Sequence, residues 1–209
     1  MTPRAKPKIS RRRGSRGFPL KLVLLGVIVA GLSLPAARAR TAGDRGKSTE
    51  IVLFDFEQKS QLDRLRWQCG TVFSLTLGHA ADGRQSLKVE MYPAGEEWPG
   101  FVFGLDDGVP ENCCLELTVD NPRPSPLTML YRIDDRPRNP PYGDRLNGRV
   151  ILQPGRNRLV FDFTRLTTSK THRRLSPEKI RRFYLFLPRP RKKTVIYIDH
   201  VILTANPAP

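Results

Sequence analysis

An all-β fold of two antiparallel sheets packed face to face is predicted by three features of this 209-residue sequence. Apolar residues recur at every second position from Glu50 onward, turn-forming residues separate these runs, and helical periodicity is scarce. Taken in order, Val52, Phe54 and Phe56 share one strand face, as do Phe73, Leu75 and Leu77. Leu87, Val89 and Met91, then Phe101, Phe103 and Leu105, then Leu115, Leu117 and Val119 repeat the pattern. Leu127, Met129, Tyr131 and Ile133 follow, then Leu146, Val150 and Leu152, then Leu159, Phe161 and Phe163. The segments RFYLFL and TVIYIDHVIL are apolar throughout, as strands covered on both faces would be. About ten short strands result, and ADGRQ, NPRPSP and QPGRN supply the Gly, Pro and Asn that reverse the chain. Residues 142–163, two alternating runs about Pro154-Gly155, read as a hairpin. Helical turns are expected only at SQLDRLRW and at SPEKIRR, where Ser176 is placed as an N-cap and Pro177 as the first helical residue. Repeated one-sided alternation implies a sandwich, and some 155 residues bury enough surface to fold without a cofactor.

Residues 1–39 differ from the rest. Eight basic residues without an acid precede an apolar run from Leu22 to Leu34, and Ala37-Arg38-Ala39 then fits a small-x-small cleavage site. That order is the pattern of a secretory signal. The apolar run is shorter than the roughly 20 residues of a membrane span, so a cleaved signal is preferred to an uncleaved N-terminal anchor. Residues 40–49 read as a linker and residues 50–205 as the domain. The expected location is outside the cytoplasm, in the periplasm or cell envelope. The first 39 residues hold nine of the 36 Lys and Arg and none of the 20 Asp and Glu. The remainder therefore carries 27 basic against 20 acidic side chains, a net of +7, far below the +16 of the whole chain. Nucleic-acid binding, which the overall charge suggests, loses most of its support. Weak adsorption to anionic envelope polymers or lipid headgroups is compatible with +7, and so is a merely soluble basic surface. Cys69, Cys113 and Cys114 are an odd set. Buried free thiols and a bridge from Cys69 to one of the adjacent pair both fit, because bridging neighbours would strain the backbone.

Several segments, in order, resemble the jelly-roll sandwiches of galactose-binding-like domains and carbohydrate-binding modules: VLFDFE, GRQSLKVEMYPAGEEWPGFVF, CLELTVDNP, YRIDD, DRLNGRVILQPGRNRLVFDF and IRRFYLFLPRPRKKTVIYIDHVIL. The sequence is most similar to the extracytoplasmic domain joined to some VanZ-like bacterial membrane proteins, and it also resembles the complex I intermediate-associated protein family. The resemblance implies a non-catalytic module that binds a glycan or, alternatively, an envelope protein in an assembly role. It further implies a structural calcium between the first strand, at Asp55 or Glu57, and Asp199 of the final strand; backbone carbonyls would complete its six to eight oxygens.

Sugar recognition uses flat aromatic faces and planar polar groups. Trp98 and Tyr142, with Arg132, Asp134, Asp144 and Arg145, are the candidates for it. Trp67 and Tyr131 sit beside apolar neighbours and are expected in the core. Residues 133–144 form a Pro-rich charged loop that ends near Tyr142, and loops on rigid strands commonly carry binding. Arg145, Asn147 and Arg149 alternate with Leu146 and Val150, which makes them either a solvated stripe or the polar floor of a groove. An enzyme is not expected. No paired-carboxylate strand motif stands out, and His79, His172 and His200 follow no metal or triad spacing.

Overall fold

A computed structural model describes residues 50–67, 70–93, 98–105, 108–136 and 139–205. These form eleven strands: β1 (Glu50–Phe54), β2 (Leu65–Trp67), β3 (Thr71–Thr76), β4 (Ser86–Met91), β5 (Gly100–Gly104), β6 (Cys113–Asn121), β7 (Leu127–Asp134), β8 (Leu146–Leu152), β9 (Gly155–Asp162), β10 (Arg182–Phe186) and β11 (Thr194–Ala205). Short 3₁₀ turns at Lys59–Arg64, Tyr142–Asp144 and Pro177–Lys179 are the helical content of the described residues. None of them is long and apolar enough to cross a membrane. The strands make an antiparallel jelly-roll sandwich. One sheet runs β3-β4-β11-β6-β9, with β1 added beside β11, and the other runs β2-β5-β10-β7-β8.

The alternation places the core between the sheets. Leu87, Val89 and Met91 of β4, Leu115, Leu117 and Val119 of β6, and Ile196 and Ile198 of β11 line one inner face. Phe101 and Phe103 of β5, Met129 and Ile133 of β7, and Phe183 and Leu185 of β10 line the other. Aromatic rings join the layers. Phe161 meets Phe183 with centroids 4.8 Å apart, Tyr131 meets Phe161 at 4.9 Å, and Phe54 meets Phe103 at 5.3 Å. Tyr131 is thus a core residue, as expected. Trp67 pairs through its backbone with Phe101 at the end of β2, and its side chain lies outside the described set.

Local expectations fail at a few positions. The runs on either side of Pro154-Gly155 are not partners: β8 pairs with β7 in one sheet and β9 with β6 in the other. The chain crosses between layers there. Asn157 fastens the crossing by accepting the Gln153 N–H at 2.8 Å and donating to the Gln153 and Gly155 carbonyls. Val52 is exposed because a register shift between Val52 and Phe54 takes it off the buried face. Leu77 lies beyond the end of β3 and is also exposed. Ser176 precedes its turn but makes no side-chain cap; its backbone carbonyl accepts the Lys179 N–H instead. Cys113 and Cys114 are buried and both free, their thiol pKa values raised first of all by burial, so neither is bridged. Cys69 and residues 1–49, with the signal, anchor and linker readings, lie outside the described residues.

Strand β11 carries a bulge between Asp199 and Ile202. On one flank it pairs with β4 before the bulge and with β1 after it. His200 sits in the bulge with φ 51°, and Asp199, 1% exposed, is turned inward.

Candidate functional site

The outward face of the five-stranded sheet carries a cleft of about 520 Å³ lined by Trp98, Leu130, Tyr131, Arg132, Tyr142, Arg145, Asn147, Gly148, Arg149 and Phe186. Its floor follows from strand register. Phe186 of β10, Leu130 of β7 and Arg149 of β8 form one cross-strand row, and Tyr184, Arg132 and Asn147 form the next. These residues alternate with Met129, Ile133 and Leu185, which face the core, so the pleat itself sends them outward.

Two walls rise from loops. Trp98 lies just before β5, where the Leu187 N–H donates to the Pro99 carbonyl at 2.9 Å. Its ring meets Phe186 edge-on at 6.0 Å, and the residue remains 40% exposed. Gly100 permits this approach, since a Cβ there would stand 2.4 Å from the Leu185 carbonyl oxygen and the Phe186 Cβ. The opposite wall is the turn Tyr142–Asp144. Pro141 enters it, and the Asp144 N–H closes it on the Pro141 carbonyl. Asn147 Nδ2 donates to the Tyr142 carbonyl at 3.1 Å, and the Gly143 carbonyl accepts the Lys170 N–H at 3.1 Å. Tyr142 is thereby held with its ring 59% exposed. The Arg145 guanidinium lies 5.3 Å from that ring centroid, and Lys170 Nζ lies 5.9 Å away.

Of the six candidates for ligand binding, Trp98, Arg132, Tyr142 and Arg145 line the cleft, and Asp134 and Asp144 do not. Asp134 takes both oxygens to Arg132, which donates from Nε at 2.8 Å and Nη2 at 2.5 Å. Arg132 also lies 4.9 Å from the Tyr184 ring. Asp144 pairs with Arg136 at 2.7 Å and with Arg173 Nε at 3.1 Å. Arg173 in turn forks onto buried Asp135, with bonds of 2.6 and 2.8 Å, and the Ser176 N–H adds a third at 2.9 Å. Burial alone would push the Asp135 carboxyl up; the Arg173 hydrogen bonds, followed by the Ser176 N–H, overcome it and hold it below its ordinary value. The network clamps the ends of the loop that presents Tyr142.

Phe186, Leu130 and Lys170 escaped the sequence reading. RFYLFL reads as wholly buried, and nothing local marks Phe186 as facing out. Arg149 and Asn147 form the polar floor that was one of the two readings of their stripe.

The three carboxylates expected at calcium act on nearby loops. Asp55 Oδ1 accepts from Gln61 Nε2 and from the Glu57 N–H. Glu57 Oε1 accepts the N–H groups of Arg84 and Gln85. Asp199 Oδ2 accepts those of Ala81 and Asp82 at 2.6 and 2.9 Å, while its Oδ1 is buried without a hydrogen-bond partner. Burial raises the Asp199 pKa, opposed by those backbone bonds. Among the described residues no three His, Cys, Asp or Glu side chains converge as a metal-binding group.

No protein-family model matches the chain, and no curated protein matches it. Solved structures do resemble it in fold. The family 11 carbohydrate-binding module from Clostridium thermocellum, in complex with a β-1,3-1,4-mixed-linked tetrasaccharide, superposes with a TM-score of 0.53 at 12% identity; the match covers 76% of this chain and 96% of that one. The solution structure of CtCBM11 gives 0.56 at 12% identity over 78% and 99% of the two chains. An exo-β-agarase gives 0.57 at 12% identity; the match covers 76% of this chain but only 25% of the agarase. The fold is therefore that of carbohydrate-binding jelly rolls.

Proposed function

We propose that the protein is a non-catalytic glycan-binding module that holds a saccharide in the cleft on its five-stranded sheet. The observation that carries this reading is the pairing of two exposed aromatic side chains, Trp98 and Tyr142, on opposite walls of a cleft floored by planar polar groups. Flat rings cover pyranose C–H faces, and guanidinium and amide groups bond to the hydroxyls between them. The likeness to modules of this fold adds support.

The basic, apolar and small-residue order of residues 1–39 supports action outside the cytoplasm. The buried, unpartnered Oδ1 of Asp199 supports a structural calcium there, with backbone carbonyls as other ligands and with Asp55 or Glu57 as the acidic ligand that the resemblance implies.

The test is retention on a broad glycan array. Trp98→Ala and Tyr142→Ala should each weaken binding about three- to tenfold per ring lost from the stack. The melting temperature should move little, least for Tyr142, which is 59% exposed, because neither side chain belongs to the buried core. A module that no glycan retains, but that captures an envelope protein, would refute the reading in favour of an assembly role.

A further inference from the structure

We propose that the cleft takes an acidic saccharide, one whose rings carry carboxylate or sulfate groups, with Arg145 and Arg149 receiving the oxyanion. This rests on the glycan-binding reading above and names the class of sugar.

The argument is one of charge and of hydrogen-bond donors. Among the described residues, the three charged side chains that line the cleft are all arginines: Arg132, Arg145 and Arg149. Arg132 is neutralised by its fork onto Asp134. The Arg145 side chain makes no hydrogen bond or ion pair among the described residues; it lies against the Tyr142 ring, and its Nε has no acceptor. A guanidinium with no internal acceptor offers its remaining donors to an incoming anion. Burial, and then the neighbouring Arg132, lower the Arg145 pKa, yet a guanidinium stays charged at neutral pH. Arg149 is exposed at the outer end of the row that begins at Phe186, and it too forms no ion pair among the described residues. Lys170, 5.9 Å from the Tyr142 ring, adds a third cation that forms no ion pair among the described residues.

A neutral sugar offers hydroxyls that donate as well as accept, so a site built for it supplies acceptors too. Among the described residues the nearby carboxylate acceptors are already engaged. Asp134 is taken by Arg132, and Asp144 by Arg136 and Arg173. Asn147 spends its Nδ2 on backbone carbonyls, which leaves its Oδ1 as the one amide acceptor on the floor. A guanidinium fork matches two oxygens of a carboxylate or a sulfate, and the chemistry is common to both.

The experiment titrates the intact chain with tetragalacturonate, with a sulfated galactan tetrasaccharide, and with the carboxyl-reduced and desulfated forms of each. A single-stranded oligothymidylate and polyglutamate serve as anions without a pyranose chain. At least one acidic tetrasaccharide should bind about tenfold or more tightly than its neutral form, with affinity falling as salt rises. Which of the two binds identifies the oxyanion. Arg149→Gln, at an exposed position, and Arg145→Gln should erase that preference, whereas Lys179→Gln, outside the cleft, should keep it. Equal binding of the neutral forms would overturn the charge inference and leave the glycan reading standing. Binding of no saccharide would overturn both. Tighter binding of oligothymidylate or polyglutamate than of any sugar, or indifference to both arginine substitutions, would show attraction by net charge alone and refute the proposal.

Discussion

Removing Arg173 should unfasten the cleft wall and leave a stranded charge whose cost depends on pH. In Arg173→Met the Asp135 carboxylate, 2% exposed, loses bonds of 2.6 and 2.8 Å and keeps only the Ser176 N–H. Breaking a buried ion pair from one side costs about 3–5 kcal/mol. Arg173 is 30% exposed and one hydrogen bond survives, so the lower end applies, about 2–3 kcal/mol at pH 7. For a domain of this size that is a fall of roughly 5–10 °C in melting temperature. The sign of the pH dependence separates this mechanism from lost packing. In the wild type the Asp135 pKa is lowered, so its stabilisation is present above the unfolded-state pKa and lost as pH falls through the folded one. In the variant burial is no longer overcome and the pKa rises, so the variant gains stability as pH falls through that raised value. The gap between the two proteins should therefore narrow by about 1 kcal/mol or more between pH 7 and pH 4.5, as read from urea unfolding. Asp135→Asn combined with Arg173→Met should recover part of the loss at pH 7. A gap of the same size at both pH values, or a double variant no better than the single, would refute the reasoning.

Gly148→Ala should cost about 1–3 kcal/mol and impair saccharide binding, because the new methyl would stand 2.2 Å from Tyr131 Cζ and push that ring out of its place beside Phe161 and Phe183; thermal melts and titration check both effects. Asp199→Asn keeps an acceptor for the Ala81 and Asp82 N–H groups and removes a buried charge. The wild-type pKa is raised, so that charge is a cost above the folded pKa that disappears in acid. In chelator the variant should equal or exceed the wild-type melting temperature at pH 7, with the difference shrinking toward pH 4. Added calcium should raise only the wild-type value if Asp199 holds the ion, and a calcium response that survives the substitution would remove Asp199 from the site.

Much of the sandwich was legible because alternation is a local property. Phe101 and Phe103, Leu115 to Val119, Met129 and Ile133 lie where a period of two sends them. Val52 was misplaced because one irregular residue pair inverts the faces of a strand, and nothing in IVLF marks the shift. The hairpin reading failed for a related reason: a Pro-Gly turn reverses the chain, but β8 and β9 would alternate identically whether they paired or stood in opposite sheets. In the cleft, Trp98 and Tyr142 were legible as aromatics in polar, Pro-rich surroundings. Phe186 was not, because an apolar residue on an outer face looks the same in sequence as one in the core. Asp144 resembles a ligand group in sequence because an ion pair between the Tyr142–Asp144 turn and Arg173 leaves no local trace, whereas Asp134 is taken by Arg132 two residues away on the same strand.

By itself, the sequence determined that this chain builds two antiparallel layers and that its most unusual exposed side chains are aromatic and basic. Only the tertiary structure decided which of them meet: strand register set Phe186, Leu130 and Arg149 in one row, and the layer crossing at Gln153 put β8 at the edge beside β7. The physical reason is range. Side-chain direction along a strand depends on the next residue, whereas the neutralisation of Arg132 and the isolation of Arg145 depend on which groups the fold brings within hydrogen-bond reach.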